Sequence, residues 1–290
     1  MGECGMKPNG TDRRKSRKRR ETVENIVIEI ILWAFSITIL YPILMVLITS
    51  FKSKKEANYL SVSLPTEWHF DNYRKVWEQG NVSQALVNSL IITAASVLLI
   101  LVFSSVTSYV LVRRADRICG RLSTMLTFGI IAPVAILPTV QLFRALGLYG
   151  SRTSLILMYS AIYLPFSVML YSSFIKGIPR ELDEAAVMDG AVSFRLFYGI
   201  IFPLLRPVTA TTGILTFMWI WNDFQYPLYF LNSSSKWTLP LSVYNFYGQY
   251  SRNWNLVCAD MVLVSIPIIA VYIFAQKYII SGMTAGAVKG

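Results

Sequence analysis

The chain has 290 residues, of which 54% are hydrophobic and 15% charged, and it carries a net charge of +11. A soluble domain carries about 25% charged residues, so the composition excludes an ordinary soluble enzyme or binding domain and points to an all-α polytopic membrane protein. The positive charge does not point to nucleic acid, because its densest run, "RRKSRKRR" (Arg13 to Arg20), stands directly before the first apolar segment, where an inside-facing anchor places its cations.

In chain order, a basic tail (1–24) precedes a membrane domain (25–280) and a short tail (281–290). The first apolar run, Ile26 to Ser50, is too long for the core of a signal peptide, and no A-x-A cleavage site follows it. A hydrocarbon core needs roughly 20 helical residues. Six crossings are expected, near 26–49, 87–112, 123–143, 153–175, 203–221 and 256–276. No strand-period alternation suggests a barrel. With the N-terminus inside, the inner segments hold 18 basic residues and the outer ones 9, a bias that predicts both termini in the cytoplasm. Cys4 and Cys119 then face a reducing compartment. The three Cys (with Cys258) form no CxxC, and the lone His69, expected in a solvated loop, has no clustered partner; neither a metal site nor a disulfide framework is expected.

Pro42, Pro133, Pro138, Pro165 and Pro267 fall inside these segments. In lipid such residues are tolerated where a cavity or neighbouring helix satisfies the freed carbonyls. The two in "APVAILPTV" mark the third crossing as irregular and pathway-lining. The outer loop 51–87, with Trp68, Phe70, Tyr73 and Trp77, reads either as a contact for an extracytoplasmic protein or as a solvated cap.

The stretch "ELDEAAVMDGAVSFRLFYGIIFP" (Glu181 to Pro203) is expected to be two short helices on the inner face. Pro179 suits a first turn, and Glu181, Asp183 and Glu184 load the positive end of the dipole. Gly190 is a left-handed stop, Ser193 can cap the second helix, and Pro203 starts the fifth crossing. Ala185 and Ala186 would form a small-residue ridge for another protein's cleft.

This stretch resembles the "EAA" signature of membrane subunits of ATP-binding-cassette importers. Glu184, Ala185, Ala186, Gly190, Ile200 and Pro203 stand at the signature's spacing, with Phe202 where Leu is usual. The flanks "IPREL" and "FRLFYGIIFPLLRP", the "WND" at 221–223 and the tail "GMTAGAVKG" are similar to the carbohydrate branch, the smaller maltose-type permeases. The tail is similar to those of permeases for complex or acidic oligosaccharides.

The resemblance implies a bacterial cytoplasmic-membrane permease whose elbow docks on two cytoplasmic ATPase subunits. Glu184, Ala185, Ala186, Asp189, Gly190, Arg195 and Pro203 would carry the coupling. It also implies a second, distinct permease subunit and an extracytoplasmic solute-binding protein. No catalytic residue and no cofactor are expected in this chain; ATP and Mg would be used by the ATPase partners. The sequence lacks a G-x-x-x-x-G-K-[ST] loop, so the energy must come from such a partner.

Around the end of the fifth crossing, "FMWIWNDFQYPLYF" carries Trp219, Trp221, Asn222, Asp223 and Tyr226. One reading is an aromatic belt at a membrane interface. The other is a sugar path in which rings stack on the solute while Asn222 and Asp223 bind hydroxyls; Asp223 could instead cap local backbone. A self-contained secondary transporter would need midplane carboxylates or inverted repeats. No repeat is found, and Glu29 and Asp260 stand near segment ends. Amino-acid, polyamine and phosphate importers share the elbow but not the flanks. No paired carboxylates or nucleophile–His pair suggest an enzyme.

Overall fold

Two long helices set the frame: α4 (Val82–Arg113) and α7 (Arg152–Ile175) lie side by side and parallel. Small side chains let them approach. Ser96, Ser104, Ser105 and Ser108 of α4 are buried, and Ser108 donates to the Val168 carbonyl of α7 at 3.0 Å. The computed structural model describes residues 10–114, 116–247 and 253–287. Cys4 and the last three residues of the tail lie outside them.

The first helix, α1 (Gly10–Ser50), packs on the last, α13 (Trp254–Ala287). From Ile26 to Leu44 its apolar side chains are exposed on all sides, as suits a helix surrounded by lipid or by another membrane subunit. The helix α13 runs on through most of the expected C-terminal tail.

Between α1 and α4 the chain forms a folded cap carrying α2 (Lys54–Ala57) and α3 (Asp71–Gln79). The buried Lys52 ammonium donates to the Ser61 carbonyl at 2.6 Å and to the Ser61 and Ser63 hydroxyls. Asn72 donates to the carbonyls of Ser50 and Lys52 and accepts from Asn255 of α13. Hydrogen bonds from Thr66 and Ser53 hold the Glu56 carboxyl down to about 2. His69 is half-buried, with its backbone N–H on the Phe51 carbonyl.

Two expected crossings are bent. The third divides into α5 (Arg117–Ile131) and α6 (Ile136–Ala145), set at 118°. The break holds Pro133, which has no N–H and bars helical geometry before it. The fifth bends by 74° at Leu205, between the one-turn α10 (Phe202–Leu204) and α11 (Arg206–Asn222). Pro203 and Pro207 flank that bend, and Pro203 lies inside a helical run that begins at Ser193. Among the described residues, four helices are long and apolar enough to cross a membrane, or up to six if each bent pair counts as one.

Beyond α11 a short α12 (Gln225–Phe230) and two 3₁₀ turns lead to α13. Cys119 and Cys258 are buried free thiols.

Candidate functional site

The residues singled out by sequence gather in two places, one at the C-terminal end of α7 and the start of α11, the other at the middle of α7 and the end of α11. The first is the elbow, α8 (Glu181–Met188) followed by α9 (Ser193–Leu196). Three acids in the first turn of α8 favour its start. Its end is a Schellman turn: Gly190 sits at φ +79°, its N–H donates to the Val187 carbonyl, and the Ala191 N–H donates to that of Ala186 at 2.9 Å. Pro179 lies just before α8, and Val192 rather than Ser193 takes the N-cap of α9. The Gly190 turn leaves only Ala191 and Val192 to re-enter the helix, so Ser193 is already in its first turn. A π-helical stretch, Phe197–Ile201, then leads into the bend at Leu205.

The expected Ala185–Ala186 ridge does not exist as one surface. Ala186 is buried with Tyr171, Ile175, Leu196, Phe197, Ile201 and Leu205, whereas Ala185 is exposed. Successive helical residues stand about 100° apart, so a helix lying on the protein can turn only one of the two outward. What the elbow presents instead is bulky and apolar: Met188 is 87% exposed, Phe194 73% and Val192 69%. Glu184, Asp189 and Arg195 are exposed around this rim, and Pro203 is half-buried behind it.

The elbow is fastened by charges that the sequence reading missed. The Asp183 carboxylate lies 2.6 Å from Nε of Arg113, the last residue of α4, and both side chains are largely buried. Tyr109 donates its hydroxyl to the same carboxylate at 3.3 Å. The Arg113 guanidinium also donates to the Ile178 carbonyl, and Arg180 donates back to that of Val112. The elbow is thus tied to α4 by polar contacts as well as packed on Tyr171 and Ile175 of α7.

The second place is a pair of adjoining clefts between the middle of α7 and the end of α11. One, of about 320 Å³, is lined by Tyr163, Leu215, Met218, Trp219, Asn222 and Asp223. The other, of about 400 Å³, shares Tyr163 and Trp219 and is bounded by Gly129 of α5, by Ala132 and Val134 of the α5–α6 break and by Phe166. The break, with Pro133 inside it and Pro138 in the first turn of α6, thus borders this cleft. Gly129 allows α5 to close on α7; a Cβ there would come 3.1 Å from Cγ of Pro165.

Tyr159, Tyr163 and Phe166 recur at helical spacing on one face of α7. Tyr163 lies 5.3 Å from Trp219, Phe166 meets it edge-on at 4.9 Å, and Tyr159 stacks on Tyr163. Asp223 anchors this array. It accepts from the Tyr159 hydroxyl at 2.6 Å and from the backbone N–H groups of Gln225 and Tyr226, so it also caps the start of α12. Asn222 is exposed, with its amide N–H on the Met218 carbonyl. Tyr226 is half-buried, edge-on to Tyr159. Trp221 is not at the clefts. It is 2% exposed and stacks on Phe217 in a separate core with Val76, Leu239 and Leu256. Two residues turn an α-helix by about 200°, which places Trp219 and Trp221 on opposite faces of α11.

The comparisons agree with this architecture. The family described as "Binding-protein-dependent transport system inner membrane component" matches residues 10–285. The chain is 37% identical over 250 residues, 86% of its length and 91% of the relative's, to the "Probable starch degradation products transport system permease protein AmyC" of Thermoanaerobacterium thermosulfurigenes. It is 34% identical to the "Melibiose/raffinose/stachyose import permease protein MelC" of Bacillus subtilis, over 86% of this chain and 91% of that one. Among solved structures, a chain of a bacterial ABC transporter involved in the import of the acidic polysaccharide alginate has the same fold. Its TM-score is 0.79 at 24% identity, covering 90% of this chain and 98% of that one. The chain belongs to the family of inner-membrane components of binding-protein-dependent transport systems.

Proposed function

We propose that this chain is a permease subunit that imports carbohydrate, in the oligosaccharide size range, across the bacterial cytoplasmic membrane. The observation that carries the reading is the elbow. A sequence with the EAA spacing folds as helix, left-handed Gly190, helix, with an exposed apolar tip and an ion pair tying it to α4. The names of the relatives, which concern starch products and raffinose-type sugars, support carbohydrate as the cargo.

In this reading two cytoplasmic ATPase subunits dock on the elbow through Glu184, Ala185, Asp189, Gly190 and Arg195, with Met188, Val192 and Phe194 covered in the contact. Ala186 and Pro203 support it from within. ATP and Mg are used in those partners. A second, distinct permease completes the membrane path, and a solute-binding protein delivers the sugar from outside. Trp219, Asn222, Asp223 and Tyr226 border or brace the sugar path. Trp221 braces the fold.

Both termini and the elbow lie in the cytoplasm. Impermeant thiol reagents on intact cells should label a Cys introduced at the exposed Ser234 but not one at Met188. Met188 is the better inner probe, because the native Cys119 is buried and unreactive for that reason alone. Co-reconstitution tests the function: vesicles holding this chain, the second permease and the ATPase should take up sugar with ATP and binding protein, whereas the purified chain alone should hydrolyse no ATP. Hydrolysis by the chain alone, or ATP-driven uptake of a non-carbohydrate solute in place of sugar, would overturn the proposal.

A further inference from the structure

We infer that the two clefts form a sugar subsite on this chain itself, built for an uncharged ring and set against anionic sugars. The inference rests on the carbohydrate reading above and adds a choice within it. The clefts offer ring faces, Tyr163 and Trp219 with Phe166 behind, beside a polar edge of Asn222 and Asp223. A pyranose has the matching two-sided chemistry: C–H groups on its face and hydroxyls on its rim. Small-molecule sites pair apolar walls with a few placed polar groups in this way. A lipid tail would offer no hydrogen-bond partner to Asn222 and Asp223.

The charge decides the class of sugar. Asp223 is the one formally charged side chain in the lining, and no Lys, Arg or His joins it. A carboxylate offers about four acceptor positions, and the chain fills three of them. The remaining one can accept from a sugar hydroxyl. It has nothing to offer a uronate, whose charge Asp223 would repel across a poorly screened cleft. The nearby basic loop residues are turned to other partners: Arg144 lies over the Tyr149 ring, and Lys236 donates to the Gly150 carbonyl. The fold neighbour is involved in the import of the acidic polysaccharide alginate; the same scaffold here carries a lining suited to neutral sugars.

The test is calorimetric titration of the assembled complex (this chain, its partner permease and the ATPase) with maltotriose, raffinose and trigalacturonate. The expected result is binding of at least one neutral probe and about tenfold weaker binding of trigalacturonate. Trp219→Ala and Tyr163→Ala should each weaken the neutral probe about tenfold, with Trp219→Phe retaining most of the affinity. Asn222→Lys, at an exposed position, should narrow the gap between neutral and anionic probes. Neutral binding that ignores Trp219 and Tyr163 would overturn the subsite while leaving sugar import intact. Tighter binding of trigalacturonate by the parent would overturn the neutral preference. Failure of every probe to bind would also overturn the subsite; vesicle uptake then judges the import reading separately.

Discussion

The elbow and the aromatic clefts share two helices, the elbow at the C-terminal end of α7 and the start of α11, the clefts at the middle of α7 and the end of α11, and they are built on different plans. The elbow presents an outer surface, and the cavity of about 890 Å³ beside it is lined in part by Arg113, Ile178, Arg180 and Glu181. Asp183 is spent internally on Arg113 and Tyr109, while Met188 and Phe194 turn outward within a rim of exposed Glu184, Asp189 and Arg195. The clefts keep space open and turn most of their apolar rings toward one another, with a single carboxylate as anchor. A lasting protein contact calls for a rigid apolar surface, whereas a transient solute calls for a cavity with few polar groups. The helix α7, 24 residues or about 36 Å long, carries Tyr171 and Ile175 under the elbow and Tyr159, Tyr163 and Phe166 at the clefts. The helix α11 likewise begins at the Leu205 bend and ends at Asn222. Elbow and clefts are therefore joined by continuous helix in both α7 and α11.

The two tryptophans of α11 give the sharpest contrast. Trp221→Ala should cost about 3–5 kcal/mol, as loss of a large buried aromatic does, lowering the unfolding midpoint in detergent without altering which sugar is carried. Trp219→Ala, at a 38% exposed position, should leave the midpoint nearly unchanged and alter sugar selectivity. Equal behaviour of the two would erase the distinction between cleft and core.

The elbow's anchorage can be broken separately. Arg113→Met strands the Asp183 carboxylate in a site where both side chains are under one-fifth exposed. The expected loss is about 3 kcal/mol, read as faster amide exchange through α8. Adding Asp183→Asn should recover part of the protection. If α8 exchanges as in the parent, the ion pair does not hold the elbow.

A smaller effect belongs to the docking face. Glu184→Ala removes an exposed carboxylate expected to meet a cationic group of the ATPase. A charge-assisted bond of about 1.5–3 kcal/mol corresponds to docking weakened roughly tenfold or more, with the membrane helices still folded. Co-purification with the ATPase at parental yield would remove Glu184 from the contact.

The two places differed in what their sequence disclosed. The elbow was legible because its signals are local: an acidic first turn, Gly190 at the stop, prolines at the bend. What escaped was non-local. Tyr109 and Asp183 are 74 residues apart, and no spacing rule pairs them. The Ala185–Ala186 ridge failed because a linear motif does not say which side of a helix faces the protein. At the clefts, the aromatic run after Phe217 pointed to the right segment but could not separate Trp219 from Trp221 without the helix turn. Tyr163 and Phe166 stayed hidden because α7 is apolar nearly throughout, so no one face announces itself. Pro133 and Pro138 did disclose the irregular third crossing, though not the size of its bend.

The central claim, that the elbow drives the clefts through shared helices, is tested most directly at Gly190. Its φ is +79° and open space within the chain surrounds the position of a Cβ, so Gly190→Ala meets no atom of this chain and strains the left-handed backbone by about 1–2 kcal/mol. The measurement is sugar taken up per ATP hydrolysed in reconstituted vesicles. The account predicts a complex that still docks and hydrolyses ATP but transports less sugar per ATP, because the angle between α8 and α9 is reset. An unchanged ratio in a variant whose elbow has lost its left-handed turn would contradict it.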